Sequence, residues 1–240
     1  MKKENKFKSI SLILPAYNEE ENIKEAVENA TKVLEKIFDE YEIIVVDDGS
    51  NDKTGEIADS LKSEKIKVIH HEINRGYASA LRTGIKNATK ELVFYTDADN
   101  QFDLNELRKA VNLLDGDKGK FDVVIGYRKD RRDRLHRLII SKGYNLLIRF
   151  LLGIRVKDAD CSFKLFKRDV IKGIEIKHEG WLVDTEILAK IIRKGYKIKE
   201  IPVKHYPRKK GKSSVKITSI LKTFFELIKL KIELSLLQKE

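Results

Sequence analysis

The stretch LVFYTDADNQ, residues 92–101, ends an apolar run in two carboxylates, Asp97 and Asp99, separated only by Ala98. In extended chain, side chains two apart point the same way, so both carboxylates can face one spot. Like charges held that close repel, and the end of a strand needs neither. A divalent cation converts the repulsion into coordination. Mg2+ and Mn2+ take oxygen ligands, keep several waters and complete their shell with substrate phosphates. Gln101 can add a neutral oxygen or orient a ligand. The competing reading is a turn and helix cap, because Asp and Asn favour both and a helical pattern follows.

Two further clusters have chemical content. In VVDDGSNDKT (45–54), Asp48 can accept hydrogen bonds from the N–H edge of a nucleobase or from ribose hydroxyls, Gly49 permits close backbone approach, and Asp52 can cap the next helix. Turn formation accounts for Ser50 and Asp52 but leaves one carboxylate of the Asp47–Asp48 pair unexplained. The run RKDRRDRLHR (128–137) concentrates arginines, whose forked guanidinium binds two phosphate oxygens at once. Most of its charges, Lys129 and Arg132 among them, read as solvated surface.

These clusters need a frame. Apolar runs at 10–15, 41–47, 66–71, 91–97 and 121–127 predict strands, and helical spacing falls between them at 19–37, 52–62, 77–88 and 104–114. Continuous apolar strands alternating with helices predict an α/β fold with a mostly parallel sheet covered on both faces. Such sheets bind ligands at the carboxyl ends of their strands. PAYNEE, DDGSND, DADNQ and GYRKDRR all fall there. The second half is less regular, with helices expected over 138–152 and 181–194 and a strand over 196–206. The segment 216–237 is amphipathic, with Ile217, Ile220, Leu221, Phe224, Phe225, Ile228, Ile232 and Leu236 near one face.

Composition narrows the classes. With 240 residues, 41% of them hydrophobic, the chain can build one large domain. A single cysteine, Cys161, leaves no disulfide framework and suits a reducing cytosol. The basic then apolar start reads as a first strand rather than a leader, and no window is long and apolar enough to span a bilayer. The formal charge of +11 suits an anionic partner or simply a well-solvated surface. Nucleic acid is disfavoured, because no binding motif appears and carboxylates at the strand ends would repel phosphates.

Taken together, LILPAYNEEENI, EIIVVDDGSNDKT, NRGYASALRTGI, YTDADNQF and VIGYR occur in an order and spacing that resembles family 2 glycosyltransferases of the GT-A fold. HRLIISKGYN, DADCSFKLFKRDV and GWLVDTEILAKIIRKGYKIKEIPV resemble one branch, the dolichol-phosphate and polyprenyl-phosphate mannosyl- and glucosyltransferases. The resemblance covers nearly the whole chain. It implies a GT-A domain over 1–215, with a nucleotide-sugar half at about 1–127 and an acceptor half at about 128–215, followed by an amphipathic C-terminal helix at 216–240.

The resemblance also implies a division of labour. Pro15, Tyr17, Glu19 and Asp48 line the nucleoside pocket. Asp97, Asp99 and Gln101, with the Ala98 backbone, hold Mg2+ or Mn2+ on the donor diphosphate. Arg128, Arg137 and Ser141 bind the acceptor phosphate. Arg208, Lys210 and Ser213, in a basic loop, close on the diphosphate. The implied reaction moves a hexose, with inversion, from GDP-mannose, UDP-glucose or UDP-GlcNAc to a polyprenyl or dolichyl phosphate. A phosphate monoester is largely dianionic at neutral pH and needs no dedicated base. Asp184 and Glu186 are acidic residues near the site whose simpler reading is a polar helix face or a bond that orders the basic loop.

The insoluble acceptor places the enzyme on the cytoplasmic face of a membrane, as a peripheral protein. Branch members often append transmembrane segments after this domain. Here the amphipathic segment occupies that place, as a membrane-surface helix with Phe224 and Phe225 inward, a helix docked on the domain, or a contact to a second copy or a membrane protein. Three rivals stay open: a family 2 enzyme using a hydroxyl acceptor, a sugar nucleotidyltransferase, and a basic nucleic-acid-binding protein. The second normally carries a Gly-rich basic loop after its first strand, where this chain has the acidic LILPAYNEE.

Overall fold

A computed structural model describes residues 7–116, 120–129, 135–180, 182–208 and 219–236 of the chain. The strands are β1 (Ser9–Ala16), β2 (Glu40–Asp47), β3 (Ile66–His70), β4 (Leu92–Tyr95), β5 (Val123–Lys129), β6 (Lys164–Lys167) and β7 (Ile198–Lys204). The helices are α1 (Ile23–Ile37), α2 (Thr54–Ser60), α3 (Tyr77–Asn87), α4 (Leu107–Gly116), α5 (Leu135–Leu152), α6 (Arg168–Lys172), α7 (Leu182–Arg193) and α8 (Ser219–Leu236), with a short 3-10 turn at Leu104–Glu106 before α4.

The strands form one sheet in the order β3-β2-β1-β4-β6-β5-β7. All neighbours are parallel except β6, which runs antiparallel to both β4 and β5. The fold class is the expected mixed α/β sheet. The sequence pattern did not show β6, because KLFK is four residues long and charged at both ends. Its pairing decides its conformation: Lys164 lies opposite Tyr95 of β4 and Ile125 of β5.

Each face of the sheet carries its own apolar cluster. One gathers Ile23, Val27 and Leu34 of α1 with Leu107, Val111 and Leu114 of α4. The other gathers Leu81 and Ile85 of α3, Ile148 of α5, Ile187 and Ile191 of α7, and Leu227, Leu230 and Leu234 of α8. Gly84 lets α3 approach the sheet, since a Cβ there would stand 2.3 Å from Ile13 Cγ2.

The expected C-terminal helix is present over Ser219–Leu236. Its docked stripe is Leu227, Leu230 and Leu234, offset from the predicted face, and Phe224, Phe225 and Ile232 point to solvent. Glu233 pairs with Lys190, and Arg193 donates to the Leu234 carbonyl, so α8 is tied to α7 by polar contacts as well. A helix with apolar residues on two faces can dock either one. Packing selected the other.

Candidate active site

β1, β2 and β4 end side by side, and each delivers a polar loop to the same edge of the sheet. After β4 the chain runs through Thr96 and Asp97 and turns at Asn100, which has φ +58°. Asn tolerates this left-handed conformation better than most residues. Asn100 is held there by its Nδ2, which donates to the Asn22 carbonyl at 3.1 Å.

The two carboxylates are each engaged on one side. Asp97 Oδ2 accepts Ser162 Oγ at 2.5 Å, and Asp99 Oδ1 accepts the Gln101 backbone N–H at 3.1 Å. The turn reading thus accounts for one oxygen of Asp99. Among the described residues the other oxygen of each carboxylate has no hydrogen-bond partner. Burial, with the neighbouring Asp97 carboxylate, pushes the Asp99 pKa up to about 7. Burial likewise raises that of Asp97, with Ser162 opposing and Asp184 reinforcing the shift. Two partly desolvated carboxylates that raise each other's proton affinity are short of positive charge, and their hard oxygens suit Mg2+ or Mn2+. The residues present therefore fit a divalent cation. Gln101 donates its Nε2 to the Tyr206 carbonyl at 2.8 Å, which holds the segment after β7 against this edge.

Arginines stand on either side. Arg128, near the end of β5, forms a fork with Asp158, Nε to Oδ2 and Nη2 to Oδ1 at 2.7 Å each. Arg208, after β7, pairs with Glu19 in the loop after β1. Its charge opposes the rise in the Asp99 pKa, as that of Arg128 does at Asp97. Ser141 is buried on α5, one turn beyond Arg137. Nearby, Asn145 Oδ1 accepts the Ala159 N–H at 3.1 Å and ties α5 to the 158–162 turn. Arg137 lies within α5, but its side chain, like Lys210 and Ser213, falls outside the described residues.

Several expected contacts are revised. Asp48 is buried and turned inward: His71 Nδ1 lies 2.6 Å from its Oδ1, and the N–H groups of Arg75 and Gly76 donate to it at 3.0 and 2.7 Å. Three internal partners engage the carboxylate, so it shapes the turn between β3 and α3. Asp47 holds His70 and the Ser50 N–H, so the DD pair serves the HH pair at the end of the next strand. Pro15 is buried within β1, opposite Val46, and Ala98 is also buried. Tyr17 is exposed at 38%, with its hydroxyl 3.4 Å from Asn51 Nδ2.

Asp184 and Glu186 do not sit on a polar helix face. Asp184 accepts Tyr95 Oη and Lys164 Nζ, both at 2.6 Å. Glu186 accepts the Lys177 and His178 N–H groups at 2.9 Å and Lys190 Nζ at 2.6 Å. Asp158, Ser162, Lys164 and Tyr95 join the site without having been singled out in the sequence. The signal available was the polar density of DADCS, where two more acids and a serine precede an apolar run.

A mixed sheet with its acidic loops gathered at one edge is the architecture of the GT-A glycosyltransferases. The chain belongs to the glycosyl transferase family 2, whose model matches residues 11–174. It is 32% identical over 236 residues to glycosyltransferase AglD of Haloferax volcanii, an alignment covering 91% of this chain and 37% of that relative. The chain thus spans little more than a third of that protein. Among solved structures it superposes on glucosyl-3-phosphoglycerate synthase from Mycobacterium tuberculosis. The complex with Mn2+, UDP and phosphoglyceric acid gives a TM-score of 0.73 at 19% identity, covering 95% of this chain and 78% of that one. The complex with Mn2+ and UDP-glucose gives 0.72 at 19% identity, covering 93% and 79%.

Proposed function

We propose that this glycosyltransferase moves a hexose from a nucleotide sugar to a polyprenyl or dolichyl phosphate, with inversion. The observation that carries the reading is the pair Asp97 and Asp99, each with one oxygen unengaged among the described residues, between Arg128 on one side and Arg208 on the other. Two phosphate-bearing reactants must meet without repelling each other, and cations on two sides of an acidic edge answer that need. The relatives' complexes with Mn2+ and UDP support a nucleotide-sugar donor and a divalent metal.

In this reading Asp97 and Asp99, with Gln101, hold Mg2+ or Mn2+, which when bound offsets the negative charge gathered by the departing diphosphate. Arg208, Lys210 and Ser213 hold that diphosphate, and Tyr17, Glu19 and the loop shaped by Asp48 border the nucleoside. Arg128, Arg137 and Ser141 hold the acceptor phosphate in line with the anomeric carbon. A phosphate oxygen forms the new bond to that carbon while the bond to the diphosphate oxygen breaks. The electron pair leaves with the diphosphate, and no proton has to move. The donor half, about 1–127, and the acceptor half, about 128–215, meet across β4, β6 and β5.

Asp184 supports the phosphate acceptor. A hydroxyl acceptor requires a base, and Asp184 is already bonded to Lys164 and Tyr95. One observation favours the hydroxyl alternative: burial pushes the Asp160 carboxyl up to about 7, a value that suits a general base. Arg137→Ala and Asp160→Asn, assayed on polyprenyl phosphate and on sugar hydroxyl acceptors, separate the two. A phosphate acceptor requires Arg137 and tolerates Asp160→Asn; the reverse pattern overturns the reading.

The lipid acceptor places the protein at a bilayer, on its cytoplasmic face. Among the described residues no helix is long and apolar enough to cross a membrane. α5 and α8 do expose large apolar side chains, Phe150 at 85%, Leu146 at 67% and Phe225 at 62%.

A further inference from the structure

We infer that Lys164 is a positioning residue for the transfer reaction: its buried ammonium fastens the 158–162 turn, so that Asp158 and Ser162 hold Arg128 and Asp97 in place. The inference rests on the reading of the acidic edge given above. The Lys164 side chain is 0% exposed, so it touches no substrate. Its Nζ donates to the Ala159 carbonyl at 3.0 Å, the Cys161 carbonyl at 2.5 Å and Asp184 Oδ1 at 2.6 Å. An ammonium has three protons, and all are used.

The two carbonyls lie between the residues that reach the site. Asp158, just before them, grips both Nε and Nη2 of Arg128. Ser162, just after them, donates to Asp97. Tyr95, two residues before Asp97, shares the Asp184 oxygen that Lys164 uses. One ammonium therefore links the strand that carries the carboxylate pair, the turn that orients Arg128, and α7.

Its burial argues for more than stability. Enclosing an ammonium is costly until pairing offsets it, and well-packed apolar replacements of buried ion pairs are often neutral or stabilising. A methionine of similar length would serve a purely structural role. What it could not supply is three directed donors and a positive charge beside Asp97, Asp160 and Asp184.

The test compares wild type, Lys164→Met, Lys164→Ala and Ser162→Ala. Free Mn2+ is followed by electron paramagnetic resonance, and UDP and GDP binding with Mn2+ by calorimetry. Lys164→Met is expected to keep the wild-type circular dichroism and lose at least ~10-fold in Mn2+-dependent nucleotide affinity, the range seen when groups orienting metal ligands are removed. Ethylamine should restore part of the loss in Lys164→Ala, and ethanol should not. A folded Lys164→Met that binds like wild type, or an amine without effect, overturns the inference. If Lys164→Met does not fold, Ser162→Ala decides, since unchanged binding there removes the proposed link to Asp97. A wild type that binds neither nucleotide with Mn2+ overturns the reading of the site itself, a result distinct from unaffected variants.

Discussion

Arg208 pairs its guanidinium with the Glu19 carboxylate across 189 residues of sequence, closing the segment after β7 onto the loop after β1. The closure has a second fastening, because Gln101 Nε2 donates to the Tyr206 carbonyl and the Tyr206 N–H donates to the Gln101 carbonyl. Arg208 is thus held beside Asp99 from two directions. Preorganised donors of this kind stabilise charge where it develops. Arg208→Ala is expected to lower kcat by ~10²–10³-fold. Arg208→Lys should fall between, keeping the charge but losing the fork. Steady-state kinetics with the donor varied at saturating acceptor check both.

The carboxylate pair makes a sharper prediction. Asp97→Asn and Asp99→Asn remove the charge but keep the shape. Each should lose ~10²–10³-fold in kcat, as expected when a few kcal/mol of charge stabilisation disappears. In wild type, EDTA should abolish turnover, and Mn2+ in excess should restore it. In either variant added Mn2+ should give little recovery. Retained activity in chelator would remove the metal from the reading.

Much of this architecture is legible in the sequence, and the misses share a cause. β1, β2 and β4 read as continuous apolar runs because helices cover both faces of the sheet. The same burial made the acidic strand ends conspicuous. What the pattern could not supply was partners from distant segments. Asp48 is conspicuous as an acid at a strand end, but its contact with His71, just beyond β3, comes from a segment 23 residues away. Arg128 is conspicuous as a phosphate-binding candidate, but Asp158, the partner that orients its fork, lies 30 residues further along the chain. β6 escapes because antiparallel pairing, not periodicity, makes Lys164–Lys167 a strand. α8 is legible as a helix, but the stripe it docks is not, because its apolar residues are not confined to one face.

Acid stability should be governed in part by Glu42, whose side chain is 4% exposed. Burial alone would raise its pKa, but Lys67 Nζ, Ser11 Oγ and the Thr89 N–H and hydroxyl all donate to it. Together they hold it down to about 2, from an ordinary 4.5. Because the folded value is depressed, the stabilisation is fully present above pH ~4.5 and is lost as pH falls toward ~2. A shift of this size corresponds to at most about 3 kcal/mol. Glu42→Gln should therefore lower Tm at pH 7, and its deficit relative to wild type should shrink steadily between pH 5 and ~2. Differential scanning calorimetry across that range provides the check.

Under the proposed lipid acceptor, the exposed apolar side chains of α5 and α8 predict where a bilayer would be met. Phe150 and Leu146 lie one turn apart on α5, and with Arg149, Gly153 and Arg155 they line a shallow groove. On α8, Phe225 and Ile232 lie two turns apart, opposite the stripe that docks on the core. Apolar side chains inserted at the headgroup boundary, with basic residues beside them, are the recipe for interfacial binding, and each basic residue near an anionic surface adds about 1 kcal/mol. The chain should therefore float with vesicles containing anionic lipid and much less with purely zwitterionic ones. Phe150→Ser with Phe225→Ser should reduce flotation by ~10-fold or more while leaving Tm within a few degrees, because neither ring is part of the buried core. The same double variant should lose activity on long-chain polyprenyl phosphate in vesicles yet retain it on a short, water-soluble prenyl phosphate. Equal losses on both acceptors would place these rings in the chemistry rather than at the membrane.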